Sequence, residues 1–292
     1  MWRYSIQTTL RCVKRWKQSP RMIMLFAMLG CIILIYALPF AENARVQGES
    51  LQVGEAFVAL TNWRFSMLIF SCSIILLFCD LPIVDKFTTN AIIKGNRKAW
   101  FSGQAIYVIA TSMICATGVF LLSVAVVLPD LSFSNLWSKP TKLIATSGRI
   151  AIDPARMKLA MDSYVVKTFS PYVALLHSYL LLTLLNCFYG MAALVARMYV
   201  RAGSFIVLIA ANAISWCASM FGAGETGHVI FSALSPNYHA SLCAHANTAL
   251  NSALPTLTHS YVVLFLMICL LFFLGIQKVK KFDFVLHEEV TE

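Results

Sequence analysis

Tyr172, Tyr179, Thr183, Asn186 and Gly190 follow one another at intervals of 7, 4, 3 and 4 residues inside an otherwise apolar run. At about 100° per residue, all five fall in one narrow stripe of a helix. Gln104, Tyr107, Thr111 and Gly118 form a similar line in a second run, and Asn212, Ser215 and Ser219 in a third. The side chains among them are neutral hydrogen-bonding groups, so the chemistry open to them is recognition rather than acid, base or nucleophilic catalysis. Such stripes avoid hydrocarbon. They face either another helix, through interhelical hydrogen bonds and small-residue packing, or an aqueous path. His177 lies about 140° from the Tyr172 stripe and reads as a packing histidine.

Sequence patterns that carry catalysis are absent. There is no GxxxxGK[ST] phosphate loop, no HExxH and no GxSxG. Asp80 stands near the end of its apolar run and no other acid lies within one, which argues against a proton-coupled pump. His228, His239 and His245 share the segment Gly222 to His259 with Cys243, but no two of these histidines have i, i+4 ligand spacing and the neighbouring acid is Glu225. Of the nine cysteines, seven fall inside apolar runs, where a thiol acts as a small apolar group, and no CxxC pattern occurs. Neither a metal nor a structural disulfide is expected, and any ATP and magnesium belong on another chain.

The elements that position these residues follow from composition. With 59% apolar and 12% charged residues in 292, the chain lacks the charge that a water-soluble surface needs. Spanning a hydrocarbon core takes about 20 apolar residues as a helix. Runs at 22–40, 65–83, 104–128, 172–196, 203–221 and 260–276 meet that need, and the alternation of a membrane barrel is missing. The expected fold is an all-α integral membrane protein of six transmembrane helices forming one domain over 1–292. Met22 to Phe40 reads as an uncleaved first span, because it is too long for a secretory signal and Pro39 fits a cleavage site badly.

Lys and Arg near span ends favour the cytoplasmic side. With both termini inside, the inner segments hold 15 of the 23 basic residues: six before Met22, four between Ile83 and Gln104, Arg197 and Arg201, and Lys278, Lys280 and Lys281. The expected location is therefore the cell membrane, multi-pass, with both termini cytoplasmic. The net charge of +10 sits at inner span ends, where anionic lipid head groups attract it, so membrane lipids rather than nucleic acid are the expected partners. MWRYSIQTTLRCVKRWKQSPRM alternates basic and apolar positions and reads either as an interfacial helix anchored by Trp2 and Trp16 or as a solvated tail.

Three segments between spans are long enough to read. In 84–100, Thr88 and Thr89 can cap a short helix bearing Ile92 and Ile93, ended by Gly95 before a basic turn of Arg97 and Lys98. That is either a surface for a cytoplasmic partner or an anchored loop. In the outer segment 129–171, Asp153 followed by Pro154 reads as a helix start. The segment 222–259 reads as an outer loop.

DLPIVDKFTTNAIIKGNRKAWFSGQAIYV, Asp80 to Val108, together with the ending GIQKVKKFDF, resembles the permease subunits of ABC-2 type exporters. In those permeases an acidic residue after span two leads into a short coupling helix, a basic turn and the restart of span three. The resemblance implies a cytoplasmic ABC ATPase subunit and a second permease half, the same or a homologous chain. Carried onto this sequence, the coupling role falls on Asp85, Phe87, Ile92, Ile93, Lys94, Arg97, Lys98 and Trp100. The path-lining role falls on Gln104, Tyr107, Thr111, Tyr179, Thr183, Asn186, Asn212 and Ser215. The function it implies is ATP-driven export of a hydrophobic or amphipathic compound such as a peptide, antibiotic or lipid. The alternative is a non-transporting membrane accessory protein that anchors or regulates a partner; an integral-membrane enzyme has no constellation to support it.

Overall fold

The computed structural model describes residues 2–84, 96–128, 130–157, 159–200, 203–221, 234–249 and 255–282. The chain is mostly helical, and four helices are long and apolar enough to cross a membrane: α2 (Pro20–Val46), α5 (Arg97–Val127), α8 (Pro171–Tyr199) and α11 (Leu257–Val279). Each starts on a recognisable signal, a first-turn proline or a capping side chain. Proline occupies the first turn of α2 and α8, Asn96 accepts from the Lys98 N–H at 3.1 Å, and Thr256 accepts from the His259 N–H at 3.3 Å. α8 is the most buried of the four, and α11 is the least.

The remaining two apolar runs are shaped differently from the long spans expected. The second, 65–83, holds α4 (Arg64–Leu77), and a separate helix before it, α3 (Glu55–Asn62), meets α4 at 82° across Trp63. All eight residues of α3 are buried, including Glu55, Thr61 and Asn62. The fifth run, α9 (Ser204–Phe221), carries a shorter apolar stretch, Ser204–Ser219.

Successive helices alternate in direction. The C-terminal part of α2 meets the end of α5, where Arg45 pairs with Asp130 at 2.6 Å and donates to the Leu128 carbonyl. Ser71 of α4 meets Asn212 of α9, while Trp216 of α9 donates to the Arg64 carbonyl, so those two helices are antiparallel. At the opposite end, Arg97 in the first turn of α5 donates to the Lys280 and Phe282 carbonyls beyond α11. Both ends of the described chain therefore gather at one end of the bundle, here termed basal.

Glycines set the closest approaches. A Cβ on Gly190 of α8 would stand 2.6 Å from Val108 of α5 and 2.7 Å from the Phe78 ring. Gly275 of α11 lies directly against the Phe101 ring, leaving no room for any side chain. Without a hydrophobic force between helices in lipid, such contacts supply dispersion energy that larger residues would forfeit.

The basic N-terminal stretch forms α1 (Trp2–Lys14), which docks along the first turns of α5. Ser5 donates to the Ala99 carbonyl at 2.8 Å and Thr9 to the Gly103 carbonyl at 2.9 Å. Trp16, just beyond α1, donates to the Tyr107 hydroxyl at 2.9 Å. The face it buries is the small polar one, Ser5, Thr8 and Cys12, whereas Ile6 and Leu10 remain exposed beside Arg11 and Lys14.

At the distal end, two short segments add what the sequence hid. β1 (Leu51–Gln52) pairs in parallel with β2 (Leu131–Ser132). The helices α6 (Lys139–Ser147) and α7 (Ser163–Thr168) then pack on this end. Fully buried Glu55 holds the junction: its carboxylate accepts from the Ser138 N–H at 2.6 Å, the Ser138 hydroxyl at 2.8 Å, the Thr141 hydroxyl at 3.0 Å and the Gln52 N–H at 3.2 Å. Four donors on one carboxylate offset part of the cost of its burial. The helix start expected at Asp153 and Pro154 is instead a turn, in which the Asp153 side chain accepts from the Ala155 N–H at 3.0 Å.

Candidate functional site

The residues expected to share one path lie in separate places. Gln104 is buried and donates to the Ile83 carbonyl at 3.2 Å, and Tyr107 binds Trp16, so both serve the basal end. Thr111 is fully buried on α5. Tyr179 shares a hydrogen bond of 3.0 Å with Thr117 of α5, and Thr183 turns its hydroxyl onto the Tyr179 carbonyl at 2.8 Å. Asn186 lies 3% exposed among Leu25, Leu29, Phe70 and Leu182, at the edge of a void of about 10 Å³. A void of that volume holds roughly one water.

Asn212 and Ser215 do come together, and with partners that helix periodicity does not reveal. Asn212 Oδ1 accepts from Ser71 of α4 at 2.9 Å and from the Asn237 amide at 2.9 Å. Its own amide donates to the Cys72 sulfur at 3.2 Å. Ser215 shares a 3.0 Å hydrogen bond with Ser235 and accepts from the Asn237 N–H at 3.3 Å. The Tyr189 hydroxyl of α8 is buried beside Ser215 and Asn237, within hydrogen-bonding reach of their side chains.

Ser235 and Asn237 belong to a segment expected to be an outer loop. It instead folds back into the bundle as α10 (Pro236–His239), with Ser235 through Leu242 buried. Local sequence explains the helix: the Ser235 hydroxyl accepts from the Tyr238 N–H, and Pro236 fills the first helical position. Tertiary contacts explain the burial. Fully buried His239 shares a 2.7 Å hydrogen bond with Ser260 of α11, and the Cys243 N–H donates to Asn62 of α3 at 3.1 Å. His245 donates through Nδ1 to the Pro255 carbonyl at 3.0 Å, and burial pushes its imidazole below the usual value of 6.5. The Ser-Pro pair was the signal available in the sequence; nothing there indicated that the segment turns inward.

The cluster of Ser71, Cys72, Tyr189, Asn212, Ser215, Ser235 and Asn237 is composed of neutral side chains. It holds no carboxylate or imidazole to move a proton, so its chemistry is hydrogen bonding to a neutral group or water. An adjoining void of about 10 Å³ is lined by Arg64, Met67, Ser219, Asn237, Tyr238, Ser241 and Ala244. Among the described residues, no group of three or more His, Cys, Asp or Glu side chains is placed to hold a metal ion.

Of the coupling residues, Asp85, Phe87, Ile92, Ile93 and Lys94 lie outside the described residues. Arg97 and Lys98 form the first turn of α5 rather than a separate basic turn. Trp100 is 2% exposed within the core, which removes it from any partner-facing surface. In comparisons with known proteins, the chain matches no family model, no curated sequence and no solved structure.

Proposed function

We propose that this chain is the membrane-spanning permease subunit of an ABC-type exporter, moving a hydrophobic or amphipathic compound such as a peptide, antibiotic or lipid. ATP and magnesium reside on a separate cytoplasmic ABC ATPase, and a second permease half, the same or a homologous chain, completes the transporter. The basal end, with its excess of Lys and Arg, faces the cytoplasm. The observation that carries this reading is the inward convergence of polar faces from α4, α8 and α9 on one neutral cluster that α10 closes from the distal side. Polar groups are costly inside a bilayer, and an inward-facing cluster of neutral hydrogen-bonding groups suits a path held shut in its resting state.

A second reading, a membrane accessory protein that anchors or regulates a partner, is favoured by the close-packed interior, where the voids beside Asn186 and Asn237 hold about one water each. Purification of the full chain from its native membrane separates the two. Recovery of a stoichiometric ATPase with a phosphate loop, together with loss of export but not of ATPase binding in Asn212→Leu, supports the permease. A stoichiometric partner without a nucleotide site supports the accessory protein. A chain isolated without either partner overturns both.

A further inference from the structure

The turn between β2 and α6 carries two large apolar side chains on its surface: Phe133 is 71% exposed and Leu136 is 69% exposed. Both flanks of this turn are pinned. Leu131 and Ser132 pair with β1, the Trp137 indole N–H donates to the Phe169 carbonyl at 2.8 Å, and Ser138 donates twice to Glu55. The turn is also seated on the first turn of α8, where the Tyr172 hydroxyl donates to the Phe133 carbonyl at 2.7 Å and the Tyr172 N–H to Asn135 Oδ1 at 3.4 Å. A segment fixed in this way does not fold inward to hide its two apolar tips, so the favourable free energy of covering them has to come from something outside the chain.

The surroundings of the turn point to what covers it. Tyr172, Val173, Leu176 and Leu180 are exposed on one face of α8, a helix long and apolar enough to cross a membrane, and the turn sits at the distal end of that helix. Residues 131–138 carry no charge, and the charged residues on either side are paired toward the end of α2: Asp130 with Arg45 and Lys139 with Glu49, each at 2.6 Å. Tyrosine is a residue type that settles at head-group depth. We infer that the turn is a membrane anchor, with Phe133 and Leu136 seated in the lipid of the distal leaflet and Tyr172 at the level of the head groups. Bilayer lipid is the occupant because the exposed apolar face of α8 continues directly onto the turn through Tyr172. The inference needs α8 to span the membrane and does not depend on the transport reading. Its consequence is mechanical: the same short segment that touches lipid is bonded to Glu55 of α3, so the distal junction is fastened to the bilayer as well as to the bundle.

The test uses the full-length chain reconstituted into phosphatidylcholine vesicles in which a fraction of the lipid carries a diazirine on an acyl chain near the glycerol. After irradiation, lipid adducts are located by mass spectrometry of the peptides. Adducts are expected on Phe133 and Leu136 as well as on Val173 and Leu176, and not on residues 146–149, an exposed stretch at the end of α6. Phe133→Asp is expected to lower the yield on Leu136 about tenfold or more, because a carboxylate reverses the preference of the tip for lipid. The yield on Val173 and Leu176 is expected to stay at the parent value, which shows that the bundle is intact. Leu136→Asp, read on Phe133, is the reciprocal variant should the first fold poorly. Adducts on Val173 and Leu176 with none on Phe133 or Leu136 overturn the inference, whether water, a second copy of the chain or a soluble partner covers the turn. Labelling of 146–149 at the same yield as the turn overturns it too, and absence of adducts on Val173 and Leu176 overturns the lipid-facing face of α8 on which it rests.

Discussion

Replacing Gly103 with valine tests whether α1 is held by close contact with α5. A Cβ at position 103 would stand 2.7 Å from both the Ser5 carbonyl oxygen and Thr8 Cβ, and 3.1 Å from Ser5 Cα. Two of those atoms are backbone, so a rotamer change does not relieve the clash, and α1 must retreat by roughly 0.7 Å or more to regain ordinary contact. Overpacking of this kind costs about 1–3 kcal/mol. The retreat also stretches the Ser5-to-Ala99 and Thr9-to-Gly103 hydrogen bonds, each worth about 1 kcal/mol net. Valine recovers only a few tenths of a kcal/mol, roughly, through its better helix propensity. The net loss is about 3 kcal/mol, which raises the undocked-to-docked ratio of α1 roughly a hundredfold. Cys12, 3% exposed on the docked face, reports it. With Cys12 as the sole cysteine, its alkylation rate is expected to rise about a hundredfold in Gly103→Val and by an intermediate factor in Gly103→Ala. An unchanged rate in a folded Gly103→Val chain would refute the argument that this glycine holds α1.

Four further outcomes are expected. Glu55→Gln keeps the shape of the distal junction but sets an amide donor against the Ser138 and Thr141 donors, so a loss of about 2–4 kcal/mol should appear as faster proteolysis within Leu131–Thr168. Glu49→Gln, which breaks only the exposed pair with Lys139, should cost at most about 1 kcal/mol. Gly275→Leu drives a side chain into the Phe101 ring and should lower Tm, with partial rescue by Phe101→Ala because the same space is vacated. Burial lowers the His245 pKa, so the unfolded chain takes up its proton first as pH falls; stability is retained above about pH 6.5 and lost as pH drops from there toward the folded value. A Tm profile between about pH 7.5 and 5.5 should show that loss, and it should flatten in His245→Asn.

Much of the helical framework is legible in the chain because lipid leaves a segment few alternatives. An apolar run must satisfy its own backbone, so the long runs become α2, α5, α8 and α11 whatever surrounds them. Helix starts are equally local: Ser19-Pro20, Ser170-Pro171 and Ser235-Pro236 each begin a helix, because proline needs no N–H partner in the first turn. The pair Asp153-Pro154 shows where this logic fails. The same chemistry closes only a turn there, with no packed face to extend it.

What surrounds a polar residue is a different kind of information. Helical periodicity groups residues on a face, but it does not say which face they meet. Gln104 and Tyr107 therefore turn out to meet Ile83 and Trp16 at the basal end, while Asn212 meets Ser71 and Asn237. Glu55 and Asn62 of α3 are buried because the Ser138 and Cys243 backbone N–H groups donate to them and the Ser178 hydroxyl accepts from the Asn62 amide.

Apolar length, capping pairs and charge distribution are properties of short stretches, so sequence alone dictates a helical, membrane-compatible chain and an expected orientation. The inward fold of α10, the Glu55 junction and the docking of α1 depend on hydrogen bonds between residues 20, 83, 94 and 181 positions apart along the chain. Only the packed bundle brings such groups together, because a buried polar atom takes whichever partner the surrounding helices present.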